Sequence, residues 1–442
     1  MTVKEEEKPS KQLFGFQSDT VSVLLKNPNK HIIISEVGSG KGAISVVWAK
    51  KKCEETGKKK VLVITTASKV HTKDEKKRND FEKDADDFCG IDFRKNLEAF
   101  ETVSWDKLYN WRRTNWGKEN EWVVIADEIF KAKNSNSKRG RAFQRIVIKN
   151  KDWTGYTATP GDRWIDFQAY FQACKFTNGI TDFKQRFCIV QTFKGFPEIV
   201  GYNEEGTLKN WWSRISYAPD TSKMRSELPK ATYELVNVSK PKGYDKVIKM
   251  RQKLCSEDEI SEDYEDFIEN ASQMTNYLRQ LCFTKEKKQW FSDFLEGLGE
   301  QALVFYNYIA TGDELEEIAK RVLPKGARVW RIDGRHHEIP TKETMGKYDI
   351  VLAQWQSGAE GLNLQFMRVW VAVEMTYSYS THHQAKGRIA RIGQTRPMFY
   401  YLLLAKGTIE EHILKCIQQK KDFSEKTWLL GQGLIREKGE NE

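Results

Sequence analysis

Residues 31–52 constrain the fold more than any other stretch of this chain. His31-Ile32-Ile33-Ile34-Ser35 is a β-branched run of the kind that fills a strand buried on both faces. It leads into Glu36-Val37-Gly38-Ser39-Gly40-Lys41-Gly42, and residues 43–52 continue with helical character. Strand, glycine-rich turn and helix in that order form a β-α unit, which commits the chain to parallel strands joined by crossover helices. The same order suits a bound phosphate. Glycines let backbone N–H groups close on the anion, the helix N-terminus adds its dipole, and a lysine adds a point charge. A glycine-rich turn alone serves equally as an ordinary loop; the strand before it and the helix after it favour the phosphate reading.

The apolar runs that follow keep to this plan. Val61-Leu62-Val63-Ile64-Thr65-Thr66 reads as a second buried strand, and a charged segment occupies residues 73–87. Trp122-Val123-Val124-Ile125-Ala126 is a third strand, with Asp127 and Glu128 at its carboxyl end. Ligands of open parallel sheets sit at that end. An Asp to hold a hydrated metal beside a Glu to orient a water needs this adjacency, although two acids closing a strand are also a common solvated feature. Thr154-Gly155-Tyr156-Thr157-Ala158-Thr159-Pro160 reads either as a β-turn or as a hydroxyl relay next to those acids. Periodicity weakens over residues 177–229, which places the connection between domains near residues 213–229. Helix-forming sequence covers residues 247–281 around an acid-rich bend, and residues 285–298 form a further amphipathic helix. Strand and helix then alternate again through residues 302–306, 313–323, 328–332, 349–353 and 368–373, and residues 408–419 end the pattern with a helix. The expected architecture is two doubly wound α/β domains, residues 1–222 and 223–442, with extra helices opening the second.

Residues 383–397 carry the second chemical signal. Arg388 and Arg391 lie three residues apart, so a helical run would set both guanidiniums on one face. Forked, always-charged donors suit a transferring phosphoryl group, and they also suit a solvated or acid-binding surface. Across 442 residues, 72 Lys and Arg outnumber 62 Asp and Glu, a formal charge of +10. Basic residues lie beside aromatics in Trp111-Arg112-Arg113 and Lys209-Asn210-Trp211-Trp212, a mixture that fits a nucleic-acid groove or a charged surface over a large core. The seven cysteines show no C-x-x-C spacing, which argues against zinc and for free thiols in a reducing compartment. The charged amino terminus resembles no signal peptide, and no apolar run matches a bilayer, so an intracellular protein with no membrane partner is expected.

With these pieces in order, residues 14–419 resemble the superfamily-two helicase motors, and within them the Swi/Snf-type branch. The resemblance is most specific in Ser357-Gly358-Ala359-Glu360-Gly361-Leu362-Asn363-Leu364, in Gln384-Ala385-Lys386-Gly387-Arg388-Ile389-Ala390-Arg391-Ile392-Gly393-Gln394, and in Lys406-Gly407-Thr408-Ile409-Glu410. It implies two tandem RecA-like lobes that hydrolyse ATP with Mg²⁺ and move on DNA. Duplex is favoured, single strands are an alternative, and the chain is expected to act as a monomer with unknown protein partners. Gln17 would read adenine. Gly38, Ser39, Gly40, Lys41 and Gly42, with Gly361, would hold the nucleotide. Asp127 would hold the metal, and Glu128 the attacking water. Gln384, Arg388 and Arg391 would act on the γ-phosphate, while Thr157, Thr159, Ser357, Glu360 and Asn363 would couple ATP to DNA.

One departure stands out. The family's loop ends in a hydroxyl residue that binds Mg²⁺, and this chain has Gly42 there, leaving Ser39 or Ser45 as candidate substitutes. The departure motivates a competing class, a non-hydrolysing ATP-gated nucleic-acid clamp; a strand-separating helicase would share the same chemistry. No chromatin-reading module is recognisable, so nucleosome remodelling is not implied. Compactness is similar to motors of phages and mobile elements, which would place such a protein in the cytoplasm or nucleoid, or in the host cytoplasm.

Overall fold

The computed structural model describes residues 9–70, 78–161, 163–193, 196–256, 258–336, 338–358, 362 and 364–423. Glu360, Gly361 and Asn363, all expected to serve the site, lie outside the described residues. The chain divides into two units, Met1–Ser226 and Glu227–Glu442.

In the first unit, the described strands are β1 (Ile32–Ile34), β2 (Lys60–Thr65), β3 (Ala99–Ser104), β4 (Trp122–Asp127), β5 (Trp153–Thr157), β6 (Cys188–Phe193), β7 (Phe196–Tyr202) and β8 (Ser216–Tyr217). Six of them form one sheet in the order β3-β2-β4-β5-β1-β8, with every pairing parallel. β6 and β7 pair antiparallel as a separate ribbon. Alternate strand residues enter two different cores. Ile33, Val61, Val63, Val123 and Ile125 pack on one face with Ile44 and Trp48 of helix α2 (Lys41–Thr56) and with Phe81 of helix α3 (Asp80–Cys89). Ile32, Leu62, Ile64 and Val124 pack on the other with Trp105, Phe143 and Phe171. Burial on both faces is why these strands read as continuous apolar runs.

The second unit repeats the plan. β9 (Ala231–Val238), β10 (Ala302–Tyr306), β11 (Val329–Ile332), β12 (Ile350–Gln354), β13 (Val369–Ala372) and β14 (Met398–Ala405) form a parallel sheet in the order β11-β12-β10-β13-β14-β9. Leu303, Phe305, Val351 and Trp370 face one core, while Val304, Tyr306, Leu352 and Val371 face the other. Both units are doubly wound α/β lobes, the RecA-like arrangement expected. No described helix is long and apolar enough to cross a membrane.

Two stretches differ from expectation. Among the described residues, the stretch 247–281 is α-helical only within Tyr244–Met250 and Ala271–Leu281, with one 3-10 turn at Tyr264–Asp266. Arg251 turns into the left-handed region at φ 56° and ends the first helix. The acid-rich stretch between is held by other means: bridges from Gln252 to Phe267 and from Leu254 to Ile260, and a Lys253–Asp266 ion pair of 3.1 Å. The helix expected to carry both arginines, Tyr379–Lys386, stops before them. Arg388 N–H bonds back to the Ala385 carbonyl in a tight turn, and Ile389 buries completely in the core. The Gln394 side chain then donates to the Ile389 and Met367 carbonyls at 3.2 and 2.7 Å, claiming an acceptor that a continuing helix would use. The two arginines therefore sit in successive turns.

The second unit is pinned by a buried ion pair. Lys287, fully buried on helix Lys285–Leu298, donates to both Glu410 oxygens at 2.8 and 2.9 Å and to the Val373 carbonyl at 2.8 Å. Glu410 also accepts the Ala405 N–H at 2.8 Å, so the pair ties the end of β14 to the helix Ile409–Gln418. Lys287→Ala leaves a buried carboxylate uncompensated and is expected to cost about 3–5 kcal/mol. A lower urea midpoint for the second unit's transition is the readout; an unchanged midpoint contradicts this role.

Candidate nucleotide site

β1 delivers the chain into a loop whose shape depends on two left-handed glycines, Gly38 at φ 82° and Gly40 at φ 74°. Gly40 caps α2, and a Cβ there would overlap the Gln17 amide nitrogen, so both its conformation and its surroundings call for glycine. Lys41 is the first residue of α2. This 16-residue helix begins with no side-chain cap and no acid in its first turn. Asn79, Ser137, Thr284 and Ser378, by contrast, cap other helices with side-chain oxygens. An uncapped N-terminus next to a lysine is a ready anion cradle.

The loop is braced internally. The Ser39 hydroxyl lies 2.5 Å from that of Ser35 and donates to the Glu36 carbonyl at 2.8 Å. The Lys41 ammonium donates to the Ser35 and Glu36 carbonyls at 3.2 and 3.1 Å. The Ser45 hydroxyl donates to the Gly42 carbonyl at 2.7 Å, which turns it back along its own helix. Ser39 and Ser45 thus both give their hydroxyl protons to backbone carbonyls. Gln17 is at the loop but engaged: its Nε2 donates to the Ser39 carbonyl and its Oε1 accepts the Phe14 N–H, each at 2.9 Å. Reading adenine would require those bonds to be exchanged.

β5 lies between β4 and β1, so the carboxyl ends of these three strands are neighbours. Tyr156 pairs with Asp127, and Thr157 with Ile34. The Thr157 carbonyl accepts the Ser35 N–H at 3.0 Å, and its hydroxyl accepts the Thr159 N–H at 3.1 Å. The loop, the acidic pair and the two threonines are therefore brought to one edge. Asp127 is 2% exposed. Burial pushes its carboxyl pKa up, but the charge and hydrogen bond of Lys69, the Thr65 hydroxyl and the Lys41 charge outweigh burial and hold it below the ordinary carboxylate range. Lys69 and Thr65 donate to the same Asp127 oxygen at 2.8 and 2.7 Å. Glu128 sits in the left-handed region at φ 50°, a strained backbone for a residue with a side chain, and Trp105 donates to the carbonyl just before it at 2.9 Å.

In the second unit, Gln384 is buried on helix Tyr379–Lys386, and its Nε2 has no hydrogen-bond partner among the described residues. Arg388 is 4% exposed and donates to the Leu362 carbonyl at 3.1 Å. Arg391 is more exposed and donates through Nε to the Gly387 carbonyl at 2.9 Å. Ser357 lies in the single helical turn Trp355–Gly358 that ends β12. His382, one turn from Lys386, is buried beside Trp355 and Trp370, and burial pulls its pKa down to about 3, so it is a neutral packing residue.

Residues 286–393 match the family model described as helicase conserved C-terminal domain. The uncharacterized ATP-dependent helicase YqhH of Bacillus subtilis is 22% identical over 360 residues, spanning 69% of this chain and 59% of that protein. The SWI/SNF-related matrix-associated actin-dependent regulator of chromatin subfamily A-like protein 1 of Xenopus tropicalis is 23% identical over 311 residues, 67% of this chain and 32% of its own. In these comparisons the chain is similar to superfamily-two helicases of the Swi/Snf-type branch. It spans less than two thirds of the length of either relative. A solved Sulfolobus solfataricus SWI2/SNF2 ATPase core in complex with dsDNA aligns over 95% of this chain and 93% of that one, at 16% identity and a TM-score of 0.43.

The resemblance to helicases of this branch implies Mg²⁺ with the nucleotide. Among the described residues, no group of three or more His, Cys, Asp or Glu could cage a metal. That fits Mg²⁺, which usually takes one or two carboxylates together with substrate phosphates. The ionised Asp127, already holding the ammonium of Lys69 against it, is a suitable carboxylate. Lys69 and Thr65 escape a reading of the sequence because a lysine four residues beyond a strand carries no signal of its own. Lys69→Met removes the main partner of a buried anion and is expected to cost about 1–3 kcal/mol at neutral pH. Because the folded pKa of Asp127 is depressed, that difference should persist above about pH 4 and shrink as pH falls further. Urea titrations at pH 7 and pH 3 test this; a pH-independent difference contradicts it.

Proposed function

We propose that this helicase-family chain is a DNA-dependent ATPase that couples hydrolysis to movement along DNA, favouring duplex without separating its strands. The carrying observation is the meeting, at one sheet edge, of an uncapped helix N-terminus led by Lys41 and a buried Asp127 kept ionised. The glycine loop, the α2 N-terminus and Lys41 bind the phosphates. Asp127 provides the carboxylate for Mg²⁺, which when bound neutralises charge on the transferring phosphoryl group. Glu128 orients the attacking water from its fixed, strained backbone. From the second unit, Arg391 supplies charge to the γ-phosphate, helped by the buried Gln384 amide. Arg388, tied to the Leu362 carbonyl, positions the turn that carries Arg391. Gly361 would join the glycine loop in holding the nucleotide, and Thr157, Thr159, Ser357, Glu360 and Asn363 are the residues through which nucleic acid would be sensed. The formal charge of +10 supports a polyanion as the track.

An arginine acting on the transferring phosphoryl group is worth about 10³–10⁵ in rate. Phosphate release should be stimulated by duplex DNA in the wild type. It should fall at least about a thousandfold in Arg391→Ala, with ATP affinity little changed. Substantial hydrolysis by that variant would remove the assigned role. DNA binding without hydrolysis under any condition would move the reading to the ATP-gated clamp that Gly42 motivates, and unwinding of a forked duplex would move it to a strand-separating helicase.

A further inference from the structure

Gly42 is the position where the loop lacks its hydroxyl, and the space beside it is filled. A Cβ placed on Gly42 would overlap a carboxylate oxygen of Asp84, which reaches in from α3. The placement is rigid. Phe81 and Ala85, on either side of Asp84 in α3, are buried in the same core as Ile44 and Trp48 of α2. Two other acids of this helix are paired: Asp86 with Arg78 and Arg94, and Asp87 with Lys11. Asp84 makes no hydrogen bond or ion pair among the described residues. Burial, first, and then the charges of Asp80 and Asp87 push its pKa up to about 7, so its ionised form is a cost to the fold that a nearby cation would relieve. The charge of Lys69 acts on it and also on Asp127, to which the ammonium is hydrogen-bonded.

We propose that the Asp84 carboxylate, seated where a side chain at position 42 would stand, supplies the oxygen ligand for the nucleotide's divalent cation that Gly42 lacks. The inference rests on the nucleotide-binding reading above and specifies how its cation is held. Gly42 and Asp84 then form a matched pair: the glycine leaves room, and the aspartate returns an oxygen to the same place from a different helix. A carboxylate is a harder and more strongly attractive donor for Mg²⁺ than a hydroxyl, so the exchange keeps the site's chemistry. The loop's lost hydroxyl therefore does not imply a lost metal. A carboxylate beside the first turn of α2 also complements the helix dipole, and the experiment separates that structural role from cation binding.

Affinity for a non-hydrolysable ATP analogue is measured by calorimetry with and without Mg²⁺, in the wild type, in Asp84→Asn and in the double variant Gly42→Thr/Asp84→Ala. Melting temperature is followed in parallel, and Mn²⁺ binding by electron paramagnetic resonance reads the cation directly. The wild type should gain affinity with Mg²⁺. Asp84→Asn should lose roughly 10- to 100-fold of that gain, with metal-free binding unchanged or tighter, and the double variant should recover it. Retention of the full gain in Asp84→Asn overturns the proposal, even if melting temperature falls, as does a loss that the double variant fails to recover. A wild type that binds no nucleotide at all overturns the nucleotide-binding reading itself, an outcome distinct from both.

Discussion

Asp127 keeps its charge at 2% exposure because Lys69, Thr65 and the more distant Lys41 together outweigh the cost of its burial. The candidate site is arranged around that balance. The ammonium of Lys69 lies against Asp127, the carboxylate proposed for the divalent cation, and the same charge acts on Asp84. A buried anion needs a positive partner at all times. Lys69, on a short turn after β2, provides one.

The parallel sheet converts this local balance into a site. With β5 between β4 and β1, three consecutive carboxyl ends deliver the acidic pair, the threonines and the glycine loop to one edge. No loop needs to be long, because strand order does the positioning. The second unit uses its interior differently. Its arginine turns are fixed by Gln394 and by the buried Ile389, so a packed core and two amide hydrogen bonds set the direction of Arg391.

Much of this was legible in residue order. β1, β2, β4, β10, β12 and β13 are buried on both faces and so appear as unbroken apolar runs, and Asp127 and Glu128 stand at a strand end, and Lys41 at a helix start, where chemistry is expected. β9 is less visible because it is an edge strand with Tyr233 and Leu235 exposed, and it acquires its meaning only by pairing over eight residues with β14, far along the chain. The arginine turns were hidden because helical spacing continues past Lys386, while the side chain that ends the helix, Gln394, lies eight residues later. The bonds of Gln17 to Ser39 and Phe14 are not legible in residue order, because they depend on how α1 (Gly15–Lys26) meets the loop. Asp84 was the least legible, since in sequence it is one acid among several in a charged helix. Only the packing of α3 on α2 sets it apart.

In the proposed function, the loop from Gly38 to Gly42 is a phosphate cradle in which Lys41 supplies the charge. Equilibrium binding of ATP to the wild type and to Lys41→Ala tests it most directly. Removing a charge-assisted contact worth about 1.5–3 kcal/mol should weaken binding by at least about tenfold, with DNA affinity in the absence of nucleotide unchanged. Equal ATP affinities in the two proteins would contradict the claim.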